Sequence, residues 1–482
     1  MKYWKTCLAL ILLTNFILRL VIFYSTDFFS FSDYQSYYKA IDLIHHKGYV
    51  SLASGNSLYA ISYLGYFFKY ISGNIDFFFW FNCIIGTSTT FLLFLLVKEV
   101  TENYLAGIVT AVILTLYTEY MVFSSVFYTP VLMIFLLSVF ILLIYYYFNS
   151  VSFNVELIYL ILIFLVYTVT FLFKPELVFF PVFLVVLSVL MTRKKELFRK
   201  NLLLICILLF GVLIVLLSGI YSKKEGEVIA NDFIFFGHTD YGGDGGEGAF
   251  IYPENRLRYN EAFNAYCIER GITEPSARDY NYFQLLEIRK YITHNPIKWI
   301  DLQFKKFFRT FGIVPETTSF KILYTGLFRD KLWLTSIVVV VPVALIILMF
   351  LFFFHSSNFK HLNSSTPSTS SSSSTNTGFL YIYFTLFIYY IIATIFFGHY
   401  QERYRMPLIV LFIVPMLSYL ISTFNKKIFL DKISLIAKSL LIATFVLIWT
   451  YQAINAINNK GRLNNTIEII NNRVNENTNS FK

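Results

Sequence analysis

The chain has 482 residues, 57% of them hydrophobic, 20% aromatic and only 14% charged, with a mean hydropathy of +0.62. That balance excludes a soluble globular protein, which carries about 25% charged residues and would have nowhere to hide 54 Phe and 36 Tyr. The formal charge of +10 is no argument for nucleic acid, because Lys and Arg are the expected cytoplasmic anchors of membrane helices, and four cysteines make no disulfide framework.

Met1-Lys-Tyr-Trp-Lys5 leads into an apolar run with no small-residue cleavage site, which reads as an uncleaved first span over Cys7 to Tyr24. Apolar runs of roughly 18 residues, the length that crosses a bilayer, then recur along the chain. They cover Phe77 to Val97, Tyr104 to Val122, Pro130 to Phe148, Leu157 to Phe173, Leu177 to Met191 and Leu202 to Ile220. Four more follow at Leu332 to Phe354, Phe379 to Phe397, Met406 to Phe424 and Ile433 to Tyr451. The expectation is an all-α polytopic membrane protein of about eleven transmembrane helices. Around Lys174-Pro175-Glu176 a short hairpin and a kinked helix read alike.

Loop charge sets the expected orientation. Lys2 and Lys5, the cluster Arg193, Lys194, Lys195, Arg199 and Lys200, and Lys426, Lys427 and Lys432 all fall inside if the N-terminus is cytoplasmic. Four regions follow: a membrane module over 1–220 with a first outer loop at 25–76, a large outer loop at 221–331, C-terminal spans over 332–454, and a polar tail at 455–482. Within the third, a Ser-rich cytoplasmic linker covers 355–378, and its Ser364 to Thr377 tract is too low in complexity to form a core.

Both outer loops carry amphipathic helix patterns. After Ser32-Asp33, Tyr34, Tyr37, Tyr38, Ile41 and Ile44 share a helical face that Gly48 ends. In the large loop, Asn295-Pro296 opens a helix whose apolar face carries Trp299, Ile300, Phe304, Phe307, Phe308 and Phe311 and which stops at Gly312. With Lys298, Lys305, Lys306 and Arg309 along it, such a helix is expected to lie in the membrane interface. Cys267 falls in a polar stretch of the same loop and reads as a free thiol.

Charge inside hydrocarbon costs roughly 2.5–3.5 kcal/mol per group, so its placement is informative. The spans are nearly free of it. Arg19, Glu119, Lys174, Glu176, Glu402, Arg403 and Arg405 instead converge on the outer ends of spans, which favours interfacial chemistry over transport. Asp33 could offer a carboxylate to a substrate at the membrane surface, although Ser32-Asp33 is equally an ordinary helix start. Arg403 and Arg405 could clamp a phosphate, or belong to a snorkelling Arg/Tyr belt. The glycine-rich run Gly237 to Gly248 lacks a phosphate-loop ending; a lid fits it better than a cation site at Asp240, Asp244 and Glu247.

Taken in order, these features resemble the polyprenyl-phosphate-sugar glycosyltransferases of the GT-C type, near the protein mannosyltransferase and aminoarabinose transferase group. The matching pieces are Arg19-Leu20, Asp33 to Ala40 with Gly48-Tyr49, Asn82 and Gly86, and Lys174-Pro175-Glu176. Tyr291 to Pro296 and Glu402-Arg-Tyr-Arg-Met-Pro407 complete the set, which spans most of the chain to Pro415. The resemblance implies a GT-C-like fold and transfer of a sugar from a polyprenyl-phosphate donor to a hydroxyl of a glycan, lipid or protein acceptor. The reaction would lie on the extracytoplasmic side of the cell membrane and proceed with inversion. It makes Asp33 the general base and Lys174, Arg403, Tyr404 and Arg405 the donor-phosphate contacts. Arg19, Glu402, His399 and His294 become substrate contacts, and a divalent cation is compatible with the chemistry. Two departures stand out. Tyr34 follows Asp33 where many relatives have Glu, and Tyr128-Thr-Pro130 stands where many carry a Glu, leaving Glu119 as the nearest second carboxylate. An O-antigen polymerase or ligase and a lipid-linked-sugar flippase are the competing readings.

Overall fold

The structure, a computed structural model, describes residues 4–25, 33–48, 53–54, 57–58, 60–173, 177–191, 195–217, 232–242, 253–310, 375–393, 402–416 and 418. These are almost entirely helical; one short antiparallel pairing joins β1 (Ala53–Ser54) to β2 (Ser57–Leu58). The chain divides into two compact units. The first comprises 1–229, 322–393 and 406–426, and the second the remainder.

In the first unit, α1 spans Trp4–Ser25, α2 Asp33–Lys47 and α3 Ala60–Tyr66, the last running into a π-turn over Phe67–Ile71. Then come α4 (Asp76–Thr101), α5 (Tyr104–Leu116), α6 (Thr118–Val122), α7 (Pro130–Asn149), α8 (Phe153–Phe173), α9 (Phe180–Met191) and α10 (Lys195–Leu217). Five described helices are long and apolar enough to cross a membrane, or six if α5 and α6 form one broken span. Several helices long and apolar enough to span a bilayer are consistent with a membrane protein. The expected spans at 332–354 and 433–451 lie outside the described residues, and α9 at 12 residues is shorter than its apolar run.

Side-chain contacts set the direction of each helix. Trp4 stacks on Phe94 and Tyr104 near the start of α1, while Arg19 near its end reaches Tyr120, so α1 and α5 run parallel. Gly107 of α5 abuts Phe94, late in α4, whereas Asn82, early in α4, bonds the Val126 carbonyl; α4 is antiparallel to both. Tyr145 of α7 donates to the Glu99 carbonyl, joining the C-terminal ends of α7 and α4. Glu156 opens α8 against Arg199 near the start of α10, and Thr168 meets Gly211 twelve positions further along each helix, so these two are parallel.

Residues 174–176 lie outside the described residues, but the helices on either side of them do not continue one another. Tyr167 donates to the Leu177 carbonyl at 2.9 Å, although ten residues of continuous helix would separate them by about 15 Å. Asn201 of α10 then reaches Leu184, confirming that α9 runs back along α8. The third expected span is corrected too. It is not one helix over Tyr104 to Val122: α5 stops at Leu116, Tyr117 leaves helical geometry (ψ 84°), and α6 departs at 63°. Beyond the break, near the end of α6, the Tyr120 carbonyl accepts from Arg19 at 3.4 Å.

Apolar surface is no glue between helices in lipid, so close packing and polar links carry the association. One such link closes the end where α7, α8 and α10 meet. Lys200, almost wholly buried, donates to the carbonyls of Tyr147, Phe148 and Ser150, capping the end of α7. It lies 3.1 Å from Glu156, which also holds Arg199 at 2.9 Å. Further along the chain, α15 (Thr375–Ile391) enters here, with Gly378 against Phe148 and Leu197. Its first three residues come from the tract expected to be an unstructured linker. Finally α16 (Glu402–Leu408) continues into a π-turn at Ile409–Ile413, whose Leu411 carbonyl accepts from Tyr383 of α15.

The second unit holds α11 (Asp232–His238), a 3-10 turn at Asp240–Gly242, α12 (Pro253–Glu269), α13 (Ala277–His294) and α14 (Pro296–Thr310). A reciprocal Ser276–Asp279 capping box starts α13. Phe235, Tyr259, Phe263, Tyr266 and Phe283 form an aromatic core by edge and tilted contacts. Cys267 is part of this core on α12, not in a loop, because it follows Phe263 by one turn on the buried face.

Candidate functional site

A buried polar group forms around Arg19, at the end of the bundle opposite Lys98, Arg199 and Lys200. Arg19 is fully buried. Its Nε donates to Asn15 Oδ1 at 2.9 Å, one helical turn back, and its Nη1 donates to the Tyr120 carbonyl and to Ser124. The guanidinium lies 4.4 Å from the centre of the Tyr120 ring. Asn15 extends the network by donating to Thr115 at 3.1 Å and accepting from Thr87 at 3.1 Å.

Glycine at 86 makes this possible. A Cβ there would stand 2.5 Å from Arg19 Nη1 and 2.6 Å from Cζ, so the arginine lies flat on the backbone of α4. Arg19 Nη2 and Asn82 Oδ1 are buried without a geometrically good hydrogen bond among the described residues. Two such atoms beside the Asn15 network mark a polar locus rather than an inert core. Arg19 is thus enclosed by protein near the end of α1, not open at a surface.

Glu119 joins the same segment. It is buried, and Tyr117 donates to its Oε2 at 2.8 Å, across the break between α5 and α6. The stretch 117–130 also receives α2 and α3. Tyr37 of α2 packs its ring on Tyr128 at 5.8 Å, Ser62 of α3 donates to the Tyr37 carbonyl, and Gly65 meets the Phe127 ring. Farther out, Asp42 accepts from Lys69 at 2.7 Å and Tyr70 at 2.8 Å, tying α2 to the π-turn. Asp33 is the first residue of α2, one turn before Tyr37, as its capping signal predicts, and Gly48 at φ +79° ends the helix.

The structure therefore brings Arg19 and Glu119 onto one segment and docks the helix that starts with Asp33 on that segment. The other expected residues fall elsewhere. Lys174 and His399 lie outside the described residues. Glu402, Arg403 and Tyr404 form the first turn of α16, and Arg405 beside them is fully buried, which is not a snorkelling position. His294, in the second unit, is exposed at the end of α13, and its Nδ1 sits 2.9 Å from the Lys290 carbonyl of its own helix. Asp240 pairs with Arg258 at 3.3 Å; Asp244 and Glu247 lie outside the described residues. Sequence reasoning missed Asn15, Thr87, Thr115, Tyr117, Tyr120 and Ser124. The available signal was Asn15 and Arg19 four apart inside an apolar run.

No protein-family model matches the chain, and neither does any curated protein sequence.

Proposed function

We propose that the chain is an inverting membrane glycosyltransferase of the GT-C type, moving a sugar from a polyprenyl-phosphate donor to an acceptor hydroxyl on the extracytoplasmic side. The observation that carries this reading is the docking of α2: the helix opened by Asp33 rests, through Tyr37 and Tyr128, on the segment that Arg19 pins. With Lys98, Arg199 and Lys200 at the other end of the bundle, the positive-inside rule puts the Asp33 end outside.

In this reading Asp33 accepts the proton of the attacking hydroxyl as the glycosidic bond forms at the anomeric carbon. The polyprenyl phosphate departs with its electron pair and needs cations rather than a general acid, a role for Lys174, Arg403 and Arg405. A single displacement inverts the anomeric centre. Glu119, already bonded to Tyr117 within the broken span, holds the platform instead of serving as a second catalytic carboxylate. Tyr128, at the position where many relatives carry Glu, serves as the ring on which α2 rests.

Mass spectrometry of lipid-linked and surface glycans, with and without the gene, tests the reaction class. One sugar should vanish from the surface glycan while its polyprenyl-phosphate form accumulates. Loss of whole polymer chains would indicate a polymerase or ligase, and an unchanged glycan with donor stranded on the inner leaflet a flippase; either defeats the proposal.

A further inference from the structure

The helix α14 is packed the wrong way round for a domain in water. Its buried side holds polar groups: Lys306 is 0% exposed, Gln303 8%, and Thr310 is buried beside them. Hydrogen bonds fix that register, since Trp299 Nε1 donates to His238 Nδ1 at 3.0 Å and Gln303 donates to the Gly237 carbonyl at 3.3 Å. Its open side holds apolar groups, with Ile297 81%, Ile300 48% and Phe304 58% exposed. At 100° per residue these three occupy one narrow stripe, which positions 308 and 311 continue in the sequence. Lys298, Lys305 and Arg309 occupy positions on a single flank of that stripe, and Lys305 is held there by Asp301 at 2.9 Å.

The covalent chain keeps this helix near a bilayer. Residues 218–231 alone separate the apolar α10 from α11, a reach of roughly 50 Å even when fully extended. We propose that α14 lies in the surface of the membrane its own chain spans, with Ile297, Ile300 and Phe304 among the acyl chains and the Lys298–Lys305–Arg309 flank on anionic lipid phosphates. Lipid is the occupant the charge pattern selects, because an apolar stripe with one basic edge complements the boundary between acyl chains and anionic headgroups. The buried polar side leaves no second way to seat the helix.

The test uses the full-length protein in nanodiscs of phosphatidylethanolamine and phosphatidylglycerol, with the photoreactive p-benzoylphenylalanine replacing Phe304, and separately Ile300. Leu162, exposed on α8, gives the lipid-facing reference and Lys290, exposed on α13, the aqueous one. Irradiation and mass spectrometry should find phospholipid adducts at 300 and 304 in yields near that at 162 and several-fold above that at 290. Exchanging phosphatidylglycerol for phosphatidylcholine should lower the yield at 300 and 304 but not at 162. Adducts no more frequent than at 290, or crosslinks to a second copy or another protein, overturn the proposal; yields indifferent to headgroup charge overturn its anionic part. Neither readout depends on glycosyl transfer, so the result stands apart from the proposed reaction.

Discussion

A buried arginine in an apolar helix is expensive, and the packing around Arg19 shows what offsets the cost. The guanidinium donates to Asn15, Ser124 and the Tyr120 carbonyl and covers the Tyr120 ring, while Gly86 yields the space. Replacing Arg19 with Ala removes the donor to the Tyr120 carbonyl and to Ser124, while Asn15 keeps Thr87, and should cost about 1–3 kcal/mol. Gly86→Val should cost about as much, by driving a side chain into the guanidinium. Because both act through one contact, they should not add. Thermal unfolding of the purified protein should show Gly86→Val nearly harmless once Arg19 is Ala, and an equal penalty in both backgrounds would contradict the clamp. Arg19 was visible in the sequence as a charge near a span end, but not its enclosure by protein. Burial of that kind depends on a glycine 67 positions away, which no local pattern connects to it.

Among the elements, those with strong end signals were the most legible. The helix α2 begins at Asp33 and stops at Gly48, and α14 begins at Pro296 after Asn295, each as caps and proline placement require. The break at Tyr117 was not legible, because Leu116-Tyr117 is as apolar as its surroundings and contains neither Pro nor Gly. Its neighbours are tertiary: Arg19 donates to the Tyr120 carbonyl beyond the break, and Tyr117 donates to Glu119 across it. The register of α14 was legible only in part: Ile300 and Phe304 are exposed together as the pattern implies, but Trp299 of the same expected face turns to His238 on the buried side, and Lys306, counted among the charges along the helix, is buried. Burial instead lowers the Lys306 ammonium to a pKa of about 7. The unfolded chain, with an ordinary lysine, binds a proton that the folded chain gives up between about pH 7 and 10.5. Below that window both states are protonated and the burial penalty is fully felt. Stability should therefore rise with pH across it. Lys306→Met should remove this dependence and raise stability at pH 6 by about 5 kcal/mol at most, the full shift expressed as energy. An equal pH slope in the wild type and the variant, followed by denaturant melts, would refute the burial argument.

At the scale of the molecule, composition and apolar run length announced a membrane protein, and the alternating directions of α1, α4, α5, α7, α8, α9 and α10 agree with the expected threading. Among the described residues five helices, or six if the bent pair is one span, are long and apolar enough to cross a membrane; the full count of eleven belongs with the proposed reading. The site was legible only in pieces. Arg19, Asp33 and Glu119 each carried a weak local signal, and the fold relates them only through a helix pair broken at Tyr117 and through α2, which rests by Tyr37 on the segment beyond the break. The cationic half of the proposed site is less complete, with Arg405 buried at the first turn of α16 and Lys174 outside the described residues. The central claim is that Asp33 removes a proton from an acceptor at this end of the bundle. The most direct measurement is sugar transfer from a polyprenyl-phosphate donor in membranes carrying Asp33→Asn, matched to wild type for expression and insertion. Transfer should fall by roughly 10²-fold or more, the usual contribution of a general base, with donor binding retained. Full transfer by the Asn variant would contradict the account.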